Sequence, residues 1–193
     1  MIGARGAGML IGFMAAGLTS RIDPRLGMAF GFGLQTVAGL WMLTFDLNVT
    51  MEILLLNSAV QGFAVGCVWV PMTIVAFDTL DMKHRAEASS VFHLLRNIGS
   101  SFFISLSIAE IVRTTGANYS RMVEMITPYN PALALPSVSG AWNFDTVAGL
   151  AKVANEIARQ SAMIGYLNAF MMYTATSALA VVLALMVRRK RST

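Results

Sequence analysis

Residues 166–187 read YLNAFMMYTATSALAVVLALMV, a run without a single Asp, Glu, Lys or Arg, and residues 188–191 that follow read RRKR. An α-helix needs roughly 20 mostly apolar residues to cross a hydrocarbon core about 30 Å thick. The run Tyr166–Val187 is long enough to do so, and Arg188, Arg189, Lys190 and Arg191 mark where it stops. Basic clusters of this kind flank the cytoplasmic ends of membrane helices. The stretch therefore sets the solvent of the chain as lipid.

Working outward, four more segments read as spans: about 2–19, with Arg5 near its start, then about 26–45, 53–77 and 91–112. The whole composition agrees. Of 193 residues, 56% are hydrophobic and 12% charged, where a soluble domain carries about 25% charged residues. The mean hydropathy is +0.64, which excludes a disordered chain. Lys and Arg number 14 against 10 Asp and Glu, but their grouping beside apolar runs argues against nucleic acid as a partner. The fold expected is all-α: a polytopic helical membrane protein of five spans in one membrane domain over residues 1–193.

Orientation follows from where the cations fall. Arg21, Arg25, Lys83, Arg85 and the C-terminal cluster lie on one side; Arg5, Arg113, Arg121, Lys152 and Arg159 lie on the other, mostly around one long loop. Long loops count little in the positive-inside rule. The expected N-terminus is outside and the C-terminus cytoplasmic. Residues 1–20 also admit a secretory signal reading, with Arg5 as the charged region and Met9–Ala16 as the apolar one. That reading leaves Arg21 and Arg25 outside with the C-terminal cluster, against the charge bias.

The outside loop, about 114–164, splits in two. Pro128, Pro131 and Pro136 break its first half. In the second half Val147, Leu150, Ala154, Ile157 and Ile164 follow helical spacing, with Lys152, Glu156 and Arg159 opposite. This predicts an amphipathic helix over about 145–162, lying at the outer interface or simply continuing the last helix.

Within the spans, Gly8 and Gly12, Gly27 and Gly31, and Gly62 and Gly66 form three GxxxG pairs, which let helix backbones approach closely. Packing is the first role expected of them. Pro71 removes a backbone hydrogen bond inside the third span and predicts a kink. Polar groups at membrane depth are candidate path residues: Gln61 and Thr73 beside Asn57 in the third span, and Arg96 with Asn97 in the fourth. Snorkelling to the interface is the alternative role for Arg96. Cys67 is the one cysteine, so no disulfide forms within the chain. His84 and His93 have no Cys or carboxylate at ligand spacing, and no nucleophile–base pair, P-loop or dinucleotide fingerprint is present. No metal, no cofactor and no enzymatic activity are expected.

Two segments carry a resemblance. The third span reads Gln61-Gly62-Phe63-Ala64-Val65-Gly66-Cys67 and then Pro71-Met72-Thr73. The next reads Arg85-Ala86-Glu87-Ala88-Ser89-Ser90 and then Leu95-Arg96-Asn97-Ile98-Gly99-Ser100. Together with Asn130-Pro131 before the final helix, they resemble the late spans of the EmrB/QacA drug-resistance transporters, the fourteen-span branch of the major facilitator superfamily. The likeness covers essentially the whole chain, aligned to the last five spans. Residues 17–25 also resemble that superfamily's cytoplasmic loop pattern, G-x-x-x-D-R-x-G-R, through Gly17, Arg21, Asp23 and Arg25. There Arg21 stands where the pattern has an acid, and Asp23 comes two residues later.

The resemblance implies proton-driven multidrug efflux of hydrophobic compounds across the inner membrane by alternating access, an antiporter mechanism in which two helical bundles rock about a central site. It implies that the chain is a C-terminal fragment, inactive alone, whose partners are the bilayer and the missing N-terminal part. The proton-coupling acids are expected mainly in that part. The competing expectation is a small structural or accessory subunit that packs against a partner membrane protein.

Overall fold

The computed structural model describes residues 2–19, 23–78, 80–127, 129–131 and 146–187, and no strand occurs among them. Among the described residues five α-helices follow in order: α1 (Ile2–Thr19), α2 (Pro24–Met42), α3 (Met51–Phe77), α4 (Arg85–Glu124) and α5 (Val147–Met186), with a 3-10 turn at Met82–His84. The protein is an all-α membrane protein. Segments Met51–Phe77, Met82–Glu124 and Val147–Met186 are each long and apolar enough to cross a bilayer. At 18 and 19 residues, α1 and α2 are at the short end of the roughly 17–25 a span takes.

Local chemistry sets the helix starts. Asp23 caps α2: its carboxylate accepts from the Arg25 backbone N–H at 3.1 Å, and Pro24 occupies the first helical position, where a missing N–H costs nothing. Between α2 and α3 the Asp46 carboxylate accepts from the Asn48 N–H at 2.9 Å, an Asx turn. Thr50 then caps α3. The Thr146 hydroxyl accepts from the Gly149 N–H at 3.1 Å and caps α5.

The long helices differ from the sequence expectation. At 40 residues each, α4 and α5 run well past 91–112 and 166–187, so much of the expected loop over 114–164 is helix. Residues 113–124 contain one glycine and no proline, and their side chains bond along the axis. The Asn118 amide donates to the Thr114 carbonyl at 2.9 Å, and the Ser120 hydroxyl to that of Gly116 at 3.1 Å. Nothing there terminates the helix. The segment expected at about 145–162 is the first half of α5, continuous with the last span. Residues 132–145 and 188–193, which include Pro136 and the basic cluster, lie outside the described residues.

The chain divides into two compact units, residues 1–103 with 170–193, and residues 104–169. In the first, α3 is the central element and packs against both α1 and α2. The α1–α3 seam is made of glycine. A methyl group built on Gly8 would strike the Ala59 carbonyl, one on Gly12 the Phe63 carbonyl and one on Gly62 the Arg5 carbonyl; one on Gly66 would come within 2.8 Å of the Gly12 Cα. Such an approach gains dispersion over a long contact where no hydrophobic force between helices operates. Gly27 and Gly31 are buried in α2, and a methyl on Gly31 would lie 3.0 Å from the Ala64 carbonyl. Pro71 is fully buried.

In the second unit, residues spaced by multiples of four along α5 are buried, Gly149, Val153, Ser161, Gly165 and Ala169, and a methyl built on Gly165 would lie 3.0 Å from the Ile111 carbonyl of α4. On the apolar face of the expected interfacial helix, Val147, Leu150 and Ala154 are exposed, while Ile157 and Ile164 are half-buried. Close approach of two helices selects the smallest side chains, so the largest apolar ones remain outside.

Candidate functional site

Asn57 and Gln61 are one turn apart on α3 and bond to each other, with the Gln61 amide donating to the Asn57 carbonyl at 2.6 Å. Asn57 is 2% exposed. Its amide donates to the Ala38 carbonyl of α2 at 3.1 Å, and Gln61 reaches the Met42 sulfur at 3.0 Å. The pair spends its donors joining α3 to α2, as buried amides in lipid must. Thr73 turns back onto its own helix, donating to the Val70 carbonyl at 2.8 Å.

Arg96 meets α3 further along. Its guanidinium carbon lies 4.4 Å from the centroid of the Trp69 ring, a cation–π contact worth about 0.5–2 kcal/mol. Placing an arginine at the centre of a membrane helix costs about 2.5–3.5 kcal/mol on insertion scales, so the ring offsets only part of that cost. Phe77 and Phe92 meet edge to face at 5.6 Å between the same helices. Asn97 is exposed, and its carbonyl accepts from the Ser100 hydroxyl at 3.0 Å. Charge at membrane depth points to Arg96 alone, since only the fold brings Trp69, 27 positions away, face to face with it.

Of the loop motif, Gly17 is exposed at the end of α1 and Arg21 lies outside the described residues. Asp23 caps α2, and one guanidinium nitrogen of Arg25, Nη2, is buried without a hydrogen-bond partner.

A hollow of about 250 Å³ lies in the first unit, lined by Phe32, Gln35, Phe103, Tyr173, Thr176, Ser177 and Ala180. Phe32, Phe103 and Tyr173 bring aromatic rings to it and Gln35 an amide, while the Thr176 hydroxyl donates to the Met172 and Tyr173 carbonyls of its own helix. Apolar walls with a few convergent polar groups are what small-molecule sites usually present. The signal was available as polar residues on the face of Tyr166–Val187, but which helices complete the hollow is a tertiary fact.

The second unit holds a polar clasp. Glu110 pairs with Arg113 at 3.0 Å and accepts from the Thr114 hydroxyl at 2.9 Å; the Asn168 amide of α5 reaches that hydroxyl at 3.4 Å. Arg113 is 79% exposed, so solvent screens the ion pair. Glu110→Gln keeps an acceptor for Thr114 and is expected to lower stability by less than about 1 kcal/mol in thermal unfolding. A larger loss would mean that the charge itself holds the helices together.

His84 lies 3.8 Å from the carboxylate of Glu87, nearer than the sequence reading allowed. Among the described residues, however, no three His, Cys, Asp or Glu side chains gather as a metal site.

No protein-family model matches the chain, and no solved structure matches it significantly. Curated proteins do. The chain is 30% identical over 112 residues to the multidrug export protein EmrB of Haemophilus influenzae, covering 58% of this chain and 22% of that protein. It is 29% identical over 155 residues to the probable multidrug resistance protein EmrY of Escherichia coli, covering 79% of this chain and 30% of that one. To the EmrB of Escherichia coli it is 25% identical over 112 residues. The matched part spans less than a third of each relative. The homologues of this chain are multidrug export proteins, and the resemblance read from its third and fourth spans holds.

Proposed function

We propose that this chain is the C-terminal helical portion of a proton-coupled multidrug exporter of the major facilitator type, and that it moves substrate only when the remaining spans are supplied. The observation that carries the reading is the match to EmrB and EmrY proteins more than three times as long as the matched segment. A second observation supports it: none of the apolar stretch of α4 is buried within the chain (0%), with Leu95, Ile98 and Phe102 all open. Such a surface needs lipid or further helices against it.

In this reading the N-terminus is outside and the C-terminus cytoplasmic, as the positive-inside bias requires. The hydroxyl- and aromatic-lined hollow forms part of the surface met by hydrophobic compounds. The proton-coupling carboxylates come from the missing spans, and the chain has no catalytic role.

The test is co-expression in a drug-sensitive bacterium. The chain alone is expected to leave sensitivity unchanged, and the chain with the complementary N-terminal part of an EmrB-type exporter is expected to restore export of a fluorescent dye. Dye movement by the purified chain in liposomes under a proton gradient would overturn the fragment reading. Co-purification with an unrelated membrane protein, without restored export, would favour an accessory subunit.

A further inference from the structure

Arg96 stands 11 residues into α4, on the order of 16 Å along its axis, with exposed Leu95 and Ile98 beside it. The ion pairs among the described residues join His84 to Glu87, Arg113 to Glu110 and Arg159 to Glu156. None of them includes Arg96. Its guanidinium lies over the ring of Trp69.

This arrangement leaves chemistry unused. A guanidinium over an aromatic face is held in orientation, while its N–H donors radiate from the rim in a planar fork that matches a carboxylate or phosphate. The Trp69 quadrupole neutralises no charge. The ring therefore fixes where the cation sits and leaves its need for an anion intact. Around it the α4 surface is apolar and open, with Leu95, Ile98 and Phe102 exposed, so an apolar body attached to that anion has a surface to lie on.

We propose that Trp69 and Arg96 form a recognition site for the anionic head of an amphipathic molecule, a carboxylate or phosphate on an apolar body. A cationic amphiphile is disfavoured there by the charge of Arg96, and a neutral one gains no charge-assisted bond. The anion comes either from a free amphiphile or from a phospholipid headgroup drawn toward the helix. Binding is a property of this chain and is read without transport, so its outcome and that of the export reading are separable.

The experiment uses the full chain with Trp41→Phe and Trp142→Phe, which leaves Trp69 as the only tryptophan of the three. It is reconstituted in phosphatidylcholine vesicles and titrated with decanoate, decanol and decylammonium while Trp69 emission is followed. Decanoate is expected to give a saturable change that decanol and decylammonium do not. Arg96→Gln should weaken it about tenfold or more, the loss of one charged hydrogen-bonding partner, whereas Arg96→Lys, which keeps the charge but loses the planar fork, should fall between the two. Circular dichroism of each variant confirms that the helices persist. In vesicles containing phosphatidylglycerol, loss of the decanoate response identifies the lipid headgroup as the occupant, and an unchanged response identifies the free amphiphile. A flat decanoate titration, an equal response in Arg96→Gln, or an equal response to decylammonium would overturn the proposal.

Discussion

Gly62→Val is expected to destabilise the α1–α3 pair by about 3 kcal/mol or more, the upper range for forcing atoms into a packed site. The first atom of any side chain at position 62 collides with the Arg5 carbonyl, which is backbone and cannot rotate away. The two helices must separate, and the Gly8–Ala59 and Gly12–Phe63 contacts go with them. Controls are built into the same chain. Gly6 and Gly99 have nothing within 4 Å of the position a methyl would take. Alanine at either should be neutral or raise stability by up to about 1 kcal/mol through helix propensity. Thermal unfolding in detergent, followed by circular dichroism, compares the variants. If Gly62→Val melted with the parent while Gly6→Ala behaved as expected, the seam would not hold α1 in place.

Asn57→Leu is expected to cost about 1–2 kcal/mol, the range for a hydrogen bond between membrane helices and its unpaired remainder. The substitution keeps the volume but removes the bond to the Ala38 carbonyl and leaves Gln61 without its 2.6 Å acceptor. Coupling makes this prediction sharp. Gln61→Leu in the Asn57→Leu background removes the stranded amide, so the double variant should be more stable than the sum of the single losses implies. Strict additivity in the unfolding cycle would show that the two amides act separately and that the α2–α3 link does not depend on the pair. The same result would return Gln61 to the set of groups free to face a transported molecule.

Several features were legible before any coordinates. Long runs without charge identify helices in lipid, because an unpaired backbone group in hydrocarbon is too costly for other structures. The Asp23-Pro24 and Thr50 starts follow from capping chemistry, and the resemblance in residues 61–73 and 85–100 agrees with the EmrB and EmrY matches. Helix ends away from such signals were less legible. Charge falling along residues 113–124 read as a loop, yet polarity ends a membrane span without ending a helix, and α4 continues to Glu124. Similarly, periodicity marks Val147, Leu150 and Ala154 as the apolar face of an interfacial or continuing helix, and they are exposed. The contact uses Gly149, Val153 and Ser161 instead, because closeness of backbones, and not hydrophobicity, decides which face packs.

The sequence by itself determined the solvent, the helical class and the kinship with multidrug export proteins. Each of these depends on composition along a short window or on residues adjacent in the chain. Only the tertiary structure decided which glycines meet, that Asn57 and Gln61 serve the α2–α3 link, that Trp69 faces Arg96, and that Gln35 and Ser177 share a hollow. Those pairings join residues on different helices. A helical period fixes the face on which a residue lies but says nothing of the rotation and depth at which another helix meets it.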